Sequence, residues 1–275
     1  YIGIYLGSEL IALTIAQRYS YLFGLINIGR LNRGPHFIQE LNISQYKPMF
    51  KSLYLFLKIK SIRMLFISPN INHSDKSNHL PFLSFKLPIE PSSSTIIKLS
   101  NNIESILQSF KSKWRNTLRK GLKTVSVEEI VNSLDLDTIL DDYVKYANHQ
   151  SFKPLPIIQL RTWWINNQDS SISFPEVRVY RAFLSEDPQS TIASIGIARF
   201  LTTSVYLFGF SSFQGKRHHA NSVLLWHAIK EAITKNSTSF DLGGLSPSTP
   251  NGIRRFKQGL NGTPYYMLGE YLSFI

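Results

Sequence analysis

Apolar positions recur with two different periods along this chain, and the changes of period divide it into elements. Ile2–Ile15 alternates around Gly7-Ser8-Glu9, which predicts a hairpin. Leu22–Ile28 predicts another strand, and Arg33-Gly34-Pro35-His36 a turn. Between Ser44 and Leu57 the apolar residues Tyr46, Met49, Phe50, Leu53 and Leu57 fall at helical spacing. Ile62–Ile67 returns to strand; residues 68–81, rich in Asn, Ser, His and Pro, predict a loop, and Leu80–Lys86 and Thr95–Leu99 predict strands. Ser100-Asn101-Asn102 offers an N-cap for one helix from about Ile103 to Leu122, with Ile106, Phe110, Trp114 and Leu118 four apart. Helices follow over Leu134–Gln150, acidic at its start as the helix dipole favours, and over Ile157–Asn166. The period then becomes two over Val177–Leu184, Thr191–Phe200 and Val205–Phe210, which predicts consecutive antiparallel strands. Asn221–Thr234 predicts an amphipathic helix, and Ser239–Leu242 and Tyr265–Tyr271 the last strands.

This order gives an α+β fold of two similar units in tandem. The division expected is 1–99 and 100–262, with 263–275 completing the first unit. The chain opens on Tyr1 inside an apolar pattern, which predicts a further N-terminal piece.

Charge changes the picture. Residues 1–127 hold 17 Lys and Arg against 5 Asp and Glu, whereas residues 128–275 hold 13 of each, so the net +12 belongs to the first half. Such a field suits a polyanion, either nucleic acid, a phosphorylated ligand or a membrane surface. It also suits plain solubility. With no cysteine, disulfides, thiolate zinc sites and a cysteine nucleophile are excluded. Ile2–Ala16, the most apolar stretch, is broken by Ser8 and Glu9 and falls short of the roughly 20 residues of a membrane span. The expected location is cytoplasmic, with peripheral contact at the inner membrane face.

No Gly-x-Ser-x-Gly elbow, Walker loop or dinucleotide fingerprint is present, and the histidines lack metal-ligand spacing, so no metal or cofactor is expected. Two segments carry candidate chemistry. Lys111–Lys123 surrounds an apolar stripe with Lys111, Lys113, Arg115, Arg119, Lys120 and Lys123, an arrangement able to present cations to phosphates or simply a solvated face. The second segment runs from Phe240-Asp241-Leu242-Gly243-Gly244 to Gly252–Gly262. It reads as a loop that sets Arg254, Arg255 and Lys257 among tight-turning glycines, with Phe256 inward, Lys257 at the loop edge and Pro247 and Pro250 stiffening the approach. A lysine beside an aromatic wall suits an anion, or a carbonyl developing negative charge. The same glycines and Asp241 also serve ordinary turns.

These segments resemble one family. Trp114-Arg115-Asn116-Thr117-Leu118-Arg119-Lys120, Phe240–Gly244, Gly252-Ile253-Arg254-Arg255-Phe256-Lys257-Gln258-Gly259-Leu260-Asn261-Gly262 and Arg33-Gly34-Pro35 are similar, in order, to motifs of FemAB-type transferases. The resemblance implies a tandem pair of GNAT (acyl-CoA N-acyltransferase)-like domains, with mixed sheets flanked by helices. It implies transfer of an aminoacyl group from aminoacyl-tRNA to the stem-peptide amine of a UDP-linked or lipid-linked muropeptide precursor. It assigns Lys257 and Phe256 to catalysis, and Arg161, Tyr206, Asp241 and Arg254 to substrate binding. The tRNA would lie on Lys113, Arg115, Arg119 and Lys120. Asn261 stands where the family has glycine, in a turn that asparagine tolerates best among the other residues. The usual first strand with its acceptor positions is absent, and so is the helical arm some members carry for tRNA.

The mechanism implied is direct attack of the acceptor amine on the donor ester, with Lys257 and backbone amides stabilising the oxyanion. Two rivals remain. One is a CoA-dependent N-acyltransferase acting on a cell-envelope or polysaccharide precursor. It needs a pyrophosphate loop, but Gln214-Gly215-Lys216-Arg217-His218-His219 has Arg217 at the glycine position. The other is a non-catalytic RNA- or membrane-surface protein.

Overall fold

The computed structural model describes residues 1–38, 41–71, 85–169, 175–245 and 249–275. Packing divides the chain into a first unit of residues 1–93 and 264–275 and a second of residues 94–263.

In the first unit, Ile2–Leu6 and Glu9–Thr14 form the expected hairpin, joined at its edge by His36–Phe37. A second sheet runs in the order Ala16–Tyr21, Ile26–Leu31, Met64–Ile67, Tyr271–Phe274, Phe85–Lys86. The helix Ile43–Ile59 lays Met49, Phe50, Leu53 and Leu57 against Leu31, Leu65 and Ile67. Its N-terminus is closed by a capping box of Asn42 and Gln45. Three expectations are corrected here. Leu22–Ile28 is not a strand: Leu22 and Phe23 are left-handed, at φ 50° and 56°, and turn the chain between Ala16–Tyr21 and Ile26–Leu31. Tyr265–Tyr271 is interrupted, because Gly269 at φ 102° separates Thr263–Tyr266 from Tyr271–Phe274. Of the strand expected over Leu80–Lys86, only Phe85–Lys86 lies among the described residues, and the loop expected over 68–81 lies mostly outside them.

The sheet of the second unit runs Ser93–Lys98, Ser239–Asp241, Thr203–Ser211, Ala193–Phe200, Glu176–Leu184, Val125–Glu129. Only the Thr203–Ser211/Ser239–Asp241 pair within this run is parallel. One face carries the helix Ala220–Thr234 with Phe110, Trp114 and Leu118. The other carries Ser133–His149 and Ile157–Asp169, packed on Val177, Val179 and Phe208. The strand Val125–Glu129 escaped the sequence reading, since two glutamates in five residues conceal its alternation. Those glutamates pair outward, Glu129 with Arg178 and Glu128 with Arg181.

The single helix expected from Ile103 to Leu122 is two, Ile103–Ser109 and Ser112–Gly121. Phe110 and Lys111 are extended between them, at ψ 151° and 141°. The break has partners for its backbone groups: Arg115 donates to the carbonyls of Gln108 (2.9 Å) and Phe110. Lys111 N–H donates to Gly259 O at 2.9 Å. Phe110 turns inward and meets the rings of Trp114 and Trp226 edge-on at 5.0 and 6.0 Å. One buried phenylalanine with two ring partners outweighs the few backbone bonds a continuous helix would add.

Candidate active site

The segment expected to be a glycine-rich loop is a helix, Asn251–Gln258. Pro250 precedes it and supplies the first carbonyl, which accepts from Arg254 N–H at 3.0 Å. Proline is well suited here, because its fixed φ is compatible with a helix start and it needs no partner for an N–H. The helix ends at Gly259, and Asn261 takes the left-handed conformation at φ 51°, as its place in a glycine position required. Its side chain donates to Ser109 O at 3.2 Å. Gly259 lies so near Trp114 that a Cβ would stand 2.8 Å from the indole Cδ1. Phe256 stacks on the same indole with centroids 6.2 Å apart. Two motifs some 140 residues apart in sequence are thus clamped together. Pro247 lies outside the described residues.

The helix turns Lys257 inward. It is 7% exposed, and Phe256 is the half-buried member of the pair, the reverse of the placement that a loop predicted. Lys257 Nζ donates to Gly244 O at 3.1 Å and lies 5.2 Å from the centroid of the Tyr206 ring. Burial lowers its pKa from 10.5 to about 8, and the Asp241 carboxylate opposes that shift. Asp241 ends its strand by accepting from Ser94 Oγ and from Gly243 N–H, the latter at 2.8 Å. This fixes the turn that aims Gly244 O at the lysine.

Lys257 faces a cavity of about 600 Å³ in the second unit. Tyr206, Leu207, Phe208 and Gly209, four consecutive residues, all line it. A regular strand cannot do this, since its side chains alternate between faces. The explanation is a bulge: Ile197 pairs with Tyr206 and Gly196 with Phe208, leaving Leu207 as the extra residue. The opposite wall is Tyr143, Tyr146 and Phe152. Burial, and after it the Tyr146 and Tyr143 phenols, push the Tyr206 pKa upward, so this hydroxyl remains protonated and able to donate. Lys216 reaches the cavity from the short helix Phe213–Arg217 and Asn221 from the start of the Ala220–Thr234 helix, with Lys216 Nζ 5.6 Å from the Tyr146 ring centroid. Among the described lining residues there is no carboxylate, and the charged ones, Lys216 and Lys257, are cationic.

Gly243 allows the turn. Its φ is +69°, and a Cβ there would stand 2.7 Å from Tyr206 O, a backbone atom that cannot swing away. We expect Gly243→Ala to lower stability by roughly 1–3 kcal/mol and to reduce turnover by displacing Gly244 O from Lys257. Thermal unfolding and steady-state rates check both effects; an unchanged rate would free the turn from this role.

The remaining sequence candidates are scattered. Arg161 is exposed and held by Asp137 in two hydrogen bonds of 2.8 and 3.1 Å, outside the cavity lining. Arg254 sits half-buried on the Lys257 helix. Lys113, Arg119 and Lys120 are exposed, whereas Arg115 is engaged with the backbone at the helix break. The sequence reading missed Tyr143, Tyr146, Phe152, Phe208, Lys216 and Asn221. Tyr143 and Tyr146, three apart on a helix, left a faint signal; Phe208 left none, because its aim depends on the bulge.

Helices on both faces of this mixed sheet give the second unit a GNAT-like fold. Residues 172–274 match the model of the FemAB family. No curated protein matches the sequence. Among solved structures, the crystal structure of FemX is similar at 14% identity and TM-score 0.77, over 99% of this chain and 87% of FemX. L-PGS from Bacillus licheniformis is similar at 12% identity and TM-score 0.56, over 97% of this chain and 82% of that one. A tandem GNAT protein from the clavulanic acid biosynthesis pathway gives 5% identity and TM-score 0.54, over 98% and 81%. At these identities the likeness is one of fold.

Proposed function

We propose that this protein transfers an aminoacyl group from aminoacyl-tRNA to an amine on the stem peptide of a peptidoglycan precursor. The observation that carries the reading is Lys257, a buried cation against an aromatic-walled cavity, in a chain whose 172–274 segment matches the FemAB family. The neutral acceptor amine attacks the carbonyl carbon of the donor ester. The C–O bond to the terminal ribose breaks, and the proton lost by the amine ends on the departing ribose hydroxyl. Negative charge gathers on the carbonyl oxygen in between, and the Lys257 ammonium meets it in a site from which water is largely excluded. Phe256 and Tyr206 wall the reacting centre. Asp241 holds the Gly243-Gly244 turn, and Arg254 contacts the acceptor. Lys113, Arg119 and Lys120 take phosphates of the donor. A UDP-linked or a lipid-linked acceptor fits this chemistry; the lipid-linked one would bring the protein to the cytoplasmic face of the membrane.

Acyl-CoA as donor is less well supported. The loop between Ser211 and Ala220 is a short helix, Phe213–Arg217, and three amides of this stretch have partners. Gly215 N–H donates to Ser212 Oγ, Lys216 N–H to Ser212 O and His218 N–H to Gln214 O. A pyrophosphate would have to displace these bonds.

The pH profile tests the role of Lys257. With its pKa near 8, the ammonium is present below that value and lost above it. We expect kcat/KM to fall on the alkaline side with a midpoint near pH 8, and Lys257→Arg to retain part of the activity while removing that limb, since a guanidinium stays charged. An alkaline limb unchanged in the arginine variant would assign the titration elsewhere.

A further inference from the structure

One end of the first unit is apolar and cationic, and among the described residues the elements that meet there carry no acidic side chain. The turn from Ala16–Tyr21 to Ile26–Leu31 holds Leu22, Phe23, Leu25 and Ile26 in solvent, at 63, 110, 84 and 46% exposure. Leu22 and Phe23 reach that position only through left-handed backbone, a conformation disfavoured for bulky side chains. The topology brings further apolar side chains to the same end. Ile28 pairs with Met64 in parallel and Phe274 pairs with Met64 antiparallel, while Arg63 N–H donates to Asn27 O. Ile59, at the end of the helix that leads through Lys60 to Met64, is 78% exposed, and Phe274 is 61% exposed. Single exposed apolar residues are ordinary, but consecutive ones on a projecting turn with others beside them are not.

Charge selects the partner. Arg18, Lys58, Lys60 and Arg63 lie on the elements that meet here. Arg18 donates to the neutral Asn27 amide oxygen at 3.0–3.1 Å. Neither residues 10–38 nor residues 41–71 contain a single Asp or Glu. An apolar tip within a cationic rim matches an anionic bilayer, whose acyl boundary accepts the Leu and Phe side chains while its headgroups meet the cations. A second copy of the chain would set this rim against itself, and an RNA would leave the apolar tip in water.

We propose that the Leu22–Ile26 turn is a membrane-inserting wedge that docks the protein on an anionic lipid surface. The test is sedimentation of the full chain with vesicles of phosphatidylcholine containing about one third phosphatidylglycerol, beside vesicles of phosphatidylcholine alone. The wild type is expected to bind the anionic vesicles, and Phe23→Ser/Leu25→Ser to bind at least about tenfold more weakly with unchanged circular dichroism and melting temperature. Phe23→Trp gives a direct readout: its emission is expected to shift to the blue on adding the anionic vesicles. Absence of wild-type binding, full binding by the double serine variant, or an unshifted tryptophan overturns the proposal. So does sedimentation showing that the same substitutions only dissolve a dimer.

Discussion

Lys257→Met is expected to lower turnover by about 10²- to 10³-fold, the range found when one oxyanion-stabilising donor is removed. The methionine fills nearly the same volume and leaves the helix Asn251–Gln258 its ordinary propensity, so the loss belongs to the charge and not to the fold. The bond from Nζ to Gly244 O and the packing over Tyr206 place this ammonium, and Lys216, the other lysine of the cavity lining, is exposed. Single-turnover rates with both substrates saturating separate the chemical step from binding. A variant with wild-type single-turnover rates would remove Lys257 from the reaction.

The same variant carries a stability signature. The folded pKa of about 8 lies below the unfolded value near 10.5, so the folded state holds fewer protons between them. Stability conferred by the neutral lysine is therefore absent below pH 8, grows through the window and is complete above 10.5. The stability of the wild type relative to Lys257→Met is expected to rise by up to about 3 kcal/mol from pH 8 to 10.5. Denaturant titrations of the two proteins across that range measure it; a flat difference would mean the lysine is not desolvated.

Phe110→Ala is expected to destabilise the second unit by about 3–5 kcal/mol, as for other buried aromatic truncations. Phe110 is 1% exposed and touches both Trp114 and Trp226. It also holds open the break through which Lys111 N–H reaches Gly259 O, at the end of the Lys257 helix. The variant should consequently lose activity at temperatures where it is still folded, as the helix loosens from its clamp. Calorimetry, with rates measured well below the transition, distinguishes this from simple unfolding. A stability change under about 1 kcal/mol would mean that the break is held by its hydrogen bonds alone.

Elements with strong periodicity were legible: the helices Ser133–His149 and Ala220–Thr234 and the three long antiparallel strands stand where apolar spacing put them. What periodicity could not show was where tertiary contacts override it. Phe110 continues the helical spacing of Ile106 and Trp114, yet its ring is better packed with the chain extended at that point. Leu22 and Phe23 have the composition of a strand but lie in a turn. The helix Asn251–Gln258 was hidden by Gly252 and by two arginines, a lysine and a glutamine, whose inward and outward faces emerge only when Ile253, Phe256 and Lys257 dock. Lys257 was singled out by motif resemblance and Tyr206 by relative position alone; the cavity that both line was not legible, because it depends on one extra residue at Leu207.

The most direct test offers the protein aminoacyl-tRNA and acyl-CoA, each with its own radiolabel on the acyl group, together with a muropeptide precursor. Label from the aminoacyl-tRNA is expected on the stem-peptide amine, label from acyl-CoA is not, and Lys257→Met is expected to slow the transfer by about 10²- to 10³-fold. Label arriving from acyl-CoA, or from neither donor, would contradict the proposed function.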